Sequence, residues 1–300
     1  MQFESEQSAI LQAGTTFVAA KESALNLLAL YDEAEVSLSS QCSLAQLIHE
    51  SIALADSWIA GEVITDQQRE QIIRGQHLNK IATVALPLAG IRKKKQHLLD
   101  LKRGSLDPSD RKRSPAKDKL WELELWAALN DRGIPAELEE PDIVARTPSG
   151  SIAIACKRIY SAQNAASSMS YGIKQLDRTG LTGVLAVTIE DLAVPSGMHL
   201  VAPNIEAASN MLNWLNRRFL SLHHRDLSDY LSKGRASCVM ASICAPVQLE
   251  DEGIVECREM QFWAHPNLAE VKRRHIDEFE AALFDGSTTP EDKSRWTHRG

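Results

Sequence analysis

The sequence predicts an α/β fold preceded by a helical region, and three observations lead there. The first hundred residues hold apolar side chains at helical spacing, with no strand-like alternation. From Asp118 onward the pattern becomes helix, short strands, helix, strand, the strands being runs rich in branched residues. Between the two lie residues 104–117 (GSLDPSDRKRSPAK), whose Gly, Ser, Pro and charge are loop punctuation. The expected division is therefore a helical accessory domain over 1–104, a linker over 105–117, a second domain over 118–285 and a disordered polar tail over 286–300.

In the helical region, residues 17–31 (FVAAKESALNLLALY) are rich in Ala and Leu, both strong helix formers. Ser43 is placed to cap the next helix, with Gln46 three residues on as its capping-box partner. Gly61 is a natural stop. Thr65 and Asp66 open a third helix, which Pro87 breaks or kinks, and residues 91–103 supply a fourth. The region offers a surface for substrate, for homodimerisation or for support of the second domain.

The second domain begins with a helix that Asp118 can cap and Gly133 can end. Two short strands follow around Glu139-Glu140-Pro141-Asp142, then a turn at Pro148-Ser149-Gly150 and the strand SIAIACKR, ending in Lys157-Arg158. Residues 161–170 are small and polar and read as a loop before a helix over 171–178. Residues 182–189 (TGVLAVTI) read as a buried strand. A long helix over 204–222, two paired strands over 236–249 and 254–263, and a last helix over 268–284 complete the chain.

Composition bounds the function. Forty-four per cent hydrophobic and 24% charged residues are those of an ordinary globular protein. No apolar run is long enough to span a bilayer, and the N-terminus lacks the basic start of a secretory signal, so the expected location is cytoplasmic, with no membrane partner. Five cysteines without a CxxC pair fit reduced thiols rather than a disulfide framework or a structural zinc. A net charge of −7 argues against a general nucleic-acid coat. Yet residues 92–119 carry eleven Lys/Arg against four Asp, a basic stripe that either holds phosphates or is a solvated face.

The chemistry concentrates in one ordered set: a helix carrying Glu122 and Glu124, then Pro141-Asp142, a glycine turn, an apolar strand ending Ala155-Cys156-Lys157, and a helix with Lys174-Gln175. Hydrolysis of a phosphodiester needs a positioned water and stabilisation of developing negative charge. An aspartate and a lysine on neighbouring strands come close enough to share that work. The order resembles the PD-(D/E)XK nuclease superfamily and implies its restriction-endonuclease-like αβββαβ core. The resemblance spans less than a third of the chain. It implies a Mg²⁺ (or Mn²⁺) ion held by Asp142 and the Cys156 backbone carbonyl, with Lys157 as the catalytic lysine. It further implies Arg158, Lys174 and Gln175 as nucleic-acid-binding residues.

One position departs from the family pattern. An Asp or Glu ordinarily precedes the lysine by two residues; here Ala155 stands there, and residues 151–158 contain no acid. The missing carboxylate is expected from Glu122, which matches the helical glutamate of resolvase-like members, or from Glu124 or Glu140. Glu140 would share a strand face with Asp142 if the strand ran unbroken through Pro141. The expected function is a metal-dependent hydrolase cutting DNA, an endonuclease in a restriction, repair or defence role by analogy. The alternative is a catalytically inactive nuclease-fold protein that binds nucleic acid or a protein partner.

Overall fold

The computed structural model describes residues 7–9, 17–61, 69–194, 200–233, 236–250, 253–264, 268–285 and 296–298. These form two compact units, one of residues 13–124 and one of residues 1–12 with 125–300.

The smaller unit is helical, as its periodicity predicts: α1 (Phe17–Glu33), α2 (Ser43–Ile59), α3 (Arg69–Ala85) and α4 (Lys94–Leu101). Pro87 lies in a 3₁₀ turn, Leu86–Gly90, immediately after α3. The expected opening of α3 at Thr65-Asp66 lies outside the described residues. Leu27, Leu44, Ile48, Leu78 and Leu98 are fully buried among these helices, and the Tyr31 hydroxyl donates to the Leu98 carbonyl at 3.0 Å. Cys42, not Ser43, caps α2: its Sγ accepts from the Ala45 N–H at 3.4 Å. Ser43 Oγ instead accepts from the Leu106 N–H at 2.9 Å.

That bond belongs to a larger departure. Residues 104–117 are ordered structure within this unit rather than a linker. Leu106 is buried, as are Ser114 and Lys117. The Arg74 guanidinium pairs with Asp107 and Glu50, Asp107 accepts from the Ser109 N–H, and Lys117 donates to the Asp110 carbonyl. The composition is that of a loop, but charges distant in sequence fold it down. Several cations of the basic stripe are also engaged within the unit: Lys94 with Glu33, Lys95 with Glu35, Arg103 with Asp100.

Helix α5 (Pro115–Asp131) carries the chain from one unit to the other, the boundary falling between Glu124 and Leu125. It starts with a proline at its first turn, where no N–H is needed. Gly133, with φ +74°, ends it. The Trp126 indole and the Asn130 amide then hold the Ala136 carbonyl, fixing where the first sheet strand leaves the helix.

The larger unit is a mixed α/β structure around a seven-stranded sheet. Its strands are β2 (Ala136–Glu137), β3 (Ile143–Thr147), β4 (Gly150–Arg158), β5 (Thr182–Thr188), β6 (Leu200–Ala202), β7 (Cys238–Leu249) and β8 (Gly253–Ala264). The order is β2-β3-β4-β5-β7-β6, with β8 beside β7. β2 and β3 pair antiparallel, as do β3 and β4, with Ile143 opposite Ile154. β4, β5 and β7 run parallel, and all seven residues of β5 are buried, as a central parallel strand requires. β7 and β8 form the expected long antiparallel pair.

One face of the sheet packs on α6 (Ala162–Leu176), α8 (Ile205–Leu222) and α9 (His224–Ser232) through Ala153, Ala155, Met169, Val187, Ala241 and Leu212. α6 begins nine residues before the predicted helix. Ser161 caps it, its N–H donating to Asn164 Oδ1 at 3.2 Å, and Ala165, Met169, Ile173 and Leu176 lie at helical spacing on the buried side. α8 is capped by Asn204, which accepts from the Ala207 N–H at 2.9 Å. The short helix α7 (Glu190–Ala193) follows β5, and α10 (Glu270–Asp285) is the predicted last helix. Of the tail expected to be disordered, only Trp296–His298 is described, as a strand (β9) paired antiparallel with β1 (Gln7–Ala9); residues 286–295 and 299–300 lie outside the described residues. No helix among the described residues is long and apolar enough to cross a membrane.

Candidate active site

The antiparallel ladder of β3 and β4 ends at Ile143 and Ile154. One step further, Asp142 stands opposite Ala155, and Lys157 is two residues along on the same sheet face. The side chains meet there. Asp142 Oδ2 accepts from the Lys157 ammonium at 2.9 Å and from the Cys156 N–H at 2.7 Å. The same ammonium donates to the Cys156 carbonyl at 2.6 Å. Both side chains retain slight exposure, 12% for Asp142 and 14% for Lys157, so the pair opens to solvent at the C-terminal edge of the parallel strands. In open α/β sheets ligands bind at that edge.

Helix α6 walls the pair. Gly172 is the close approach: a Cβ there would stand 3.1 Å from Lys157 Cγ and 3.3 Å from its Cε. Tyr171 lies over the lysine, its ring centre 5.6 Å from the ammonium. Gln175 donates to the Pro141 carbonyl at 3.1 Å, tying the turn before β3 to α6. Its Oε1 is buried and accepts no hydrogen bond among the described residues.

The remaining sequence-predicted residues go elsewhere. Lys174 is exposed on α6. Arg158 is turned to the opposite sheet face and buried. Its guanidinium donates to Asp191 at 2.5 Å and to Glu190 at 2.6 Å. Burial alone would lower its pKa, but the two carboxylates outweigh that and raise it. Its charge is engaged inside the fold, so it does not present a free cation to phosphate. Among the candidate acids, Glu122 is paired with Lys119, and Glu124 is buried and paired with Lys80 at 3.0 Å. Glu140 is exposed in a turn, joined to Pro141 by a cis peptide bond. β2 ends at Glu137 and β3 begins at Ile143, so no unbroken strand puts Glu140 on the Asp142 face.

Two of the oxygens that the resemblance assigns to a metal, the Asp142 carboxylate and the Cys156 carbonyl, do converge. They converge on a cation, the Lys157 ammonium. Among the described residues no cluster of three or more His, Cys, Asp or Glu is placed to hold a metal. Magnesium takes few protein ligands and fills its octahedron with water and phosphate oxygens, so one carboxylate and one carbonyl suit it.

Sequence reasoning missed Tyr171 and Gly172 as residues of the site. Their position one helical turn before Gln175 was the available signal. His223 and His224, consecutive in sequence, each lie against an aromatic ring: His224 stacks on Trp263 at 5.1 Å between ring centres, and His223 lies 4.7 Å from Phe219. No protein-family model matches the chain, and no curated protein matches it.

Proposed function

We propose that the protein is a divalent-metal-dependent nuclease that hydrolyses DNA phosphodiester bonds, on a restriction-endonuclease-like core. The element order α5-β2-β3-β4-α6-β5 supports the finer fold reading, as does a four-strand run in which only β4 and β5 are parallel. The observation that carries the activity is the Asp142–Lys157 pair, 2.9 Å apart at the sheet edge where ligands bind. Asp142 and the Cys156 carbonyl would hold a magnesium, which would supply charge neutralisation at the phosphate and a more acidic water. Lys157, which donates to Asp142 and to the Cys156 carbonyl, would orient the attacking water and offset charge on the phosphoryl oxygens. Gln175 holds the Pro141 turn, and with it Asp142, in place against α6.

The test is cleavage of supercoiled, linear and single-stranded DNA with Mg²⁺ or Mn²⁺. Asp142→Ala and Lys157→Ala each abolish cutting. Ala155→Asp, which adds a carboxylate on the sheet face shared by Asp142 and Lys157, increases it. Wild-type and Ala155→Asp proteins that both leave every DNA form intact refute the proposal.

Ala155 favours a second reading. It is fully buried where the family pattern has an acid, and an apolar methyl there supplies no ligand. On that reading the protein is a non-catalytic relative that binds nucleic acid or a protein partner. Salt-sensitive DNA binding without cutting is its signature.

A further inference from the structure

Tyr171 is the residue beside the pair whose surroundings the proposed chemistry leaves unexplained. Its ring lies against the Lys157 ammonium, 5.6 Å from centre to nitrogen, yet the residue is 61% exposed. A tyrosine whose only task was to pack α6 would have its ring covered. The hydrophobic side of α6 is already complete, with Ala165, Met169, Ile173 and Leu176 buried, and Tyr171 points away from it. Gly172 lets α6 approach Lys157 closely, which keeps the ring next to the ammonium. Lys174 is exposed on the last turn of the same helix, and Arg178 is exposed just beyond its end.

α8, packed on the same sheet face as α6, repeats the pattern. Trp214 is 54% exposed, and the Arg218 guanidinium sits 5.2 Å from its ring centre. Two exposed rings, each with a cation at its side, thus stand on one helical layer. Aromatic platforms interleaved with cations are the chemistry that holds an unpaired strand, since every base offers a face to stack and every nucleotide a phosphate to pair.

We infer that the site takes single-stranded DNA, with a base stacked on Tyr171 and that nucleotide's phosphate at Lys157. This rests on the nuclease reading above and names its substrate. Duplex DNA does not fit the platform, because each of its bases is already stacked on both sides and only a flipped or unpaired base frees a face. Lys157 lies over the ring, and the residue is still 61% exposed.

The experiment is fluorescence anisotropy in EDTA, so that nothing is cut, with a labelled single-stranded oligonucleotide and with the matching duplex. The wild-type protein binds the single strand more tightly than the duplex. Tyr171→Ala weakens single-strand binding about 5- to 150-fold, the usual worth of one base–aromatic stack, and leaves duplex binding unchanged. Tyr171→Phe keeps the ring and keeps the affinity. A 2-aminopurine in the strand is quenched by wild type and by Tyr171→Phe, not by Tyr171→Ala. Unchanged single-strand affinity in Tyr171→Ala, or equal weakening of both DNA forms, overturns the inference. Cleavage in Mg²⁺ is read separately. Tyr171-dependent single-strand binding by a protein that never cuts upholds this inference and refutes hydrolysis. Duplex cutting by Tyr171→Ala with a wild-type KM does the reverse.

Discussion

Gly172→Ala tests the packing on which the candidate site depends. In an exposed helix interior, replacing glycine with alanine stabilises by about 0.5–1 kcal/mol, because alanine loses less backbone entropy on folding. At position 172 the added Cβ meets Leu185 Cδ1 at 2.6 Å and Lys157 Cγ at 3.1 Å. Leu185 is fully buried on the central strand β5, so its methyl has little room to retreat. Overpacking of this kind costs about 1–3 kcal/mol. The clash outweighs the propensity gain, and the expected net loss is about 1 kcal/mol. Gly75, inside α3, is the control: a Cβ there lies 3.9 Å from Ser51 Oγ and 4.0 Å from Ala20 Cβ, ordinary contact. Gly75→Ala is therefore expected to stabilise by about 0.5–1 kcal/mol. Urea unfolding at constant m-value measures both. If Gly172→Ala stabilises as much as Gly75→Ala, α6 does not lie against Lys157 and Leu185 as described, and the account of the site fails with it.

Two further outcomes follow from buried charge. Arg158→Ala removes the guanidinium that pairs with Glu190 and Asp191, each under a tenth exposed, and is expected to cost about 3–5 kcal/mol near neutral pH. Denaturant melts read it, and an unchanged midpoint argues against the pairing. His97, in the helical unit, is held neutral by burial, with Lys119 and Lys93 pushing the same way, and its pKa is lowered to about 4. Neither ring nitrogen is hydrogen-bonded among the described residues. The unfolded chain, with the ordinary histidine value near 6.5, binds the extra proton first. Stability from this group is thus full above about pH 6.5, falls as the pH drops toward 4, and levels off below. The total is on the order of 2 kcal/mol after allowance for solvent screening, and His97→Gln is expected to remove that slope.

The Asp142–Lys157 encounter was legible before any coordinates, because it depends on local order: an aspartate before one strand, a tight glycine turn, and a lysine at the end of the next. A hairpin of that length leaves little choice of register, and Ile143 does lie opposite Ile154. The neighbouring residue was not legible. Arg158 follows Lys157 in sequence, but alternation along a strand sends it to the other face, and its partners are 32 and 33 residues away. Residues 104–117 misled for a related reason. Their composition matches a linker, and the contacts that order them, Arg74 to Asp107 and Ser43 to Leu106, come from helices distant in sequence. The start of α6 was hidden because residues 161–170 are small and polar, and the spacing of Ala165 and Met169 was too sparse to outweigh that.

By itself the sequence determined which segments are helix and which are strand over most of the described chain, and that one aspartate and one lysine share a hairpin. These are short-range properties, set by periodicity, glycine placement and strand alternation. Tertiary structure alone decided which charges stay available. It turned Arg158 inward onto Glu190 and Asp191, paired Glu122 with Lys119 and Glu124 with Lys80, and set Tyr171 open beside Lys157. A charge in a sequence has no fixed partner; its partner is whichever opposite charge the fold leaves within reach once water has been excluded, and that depends on the whole chain at once.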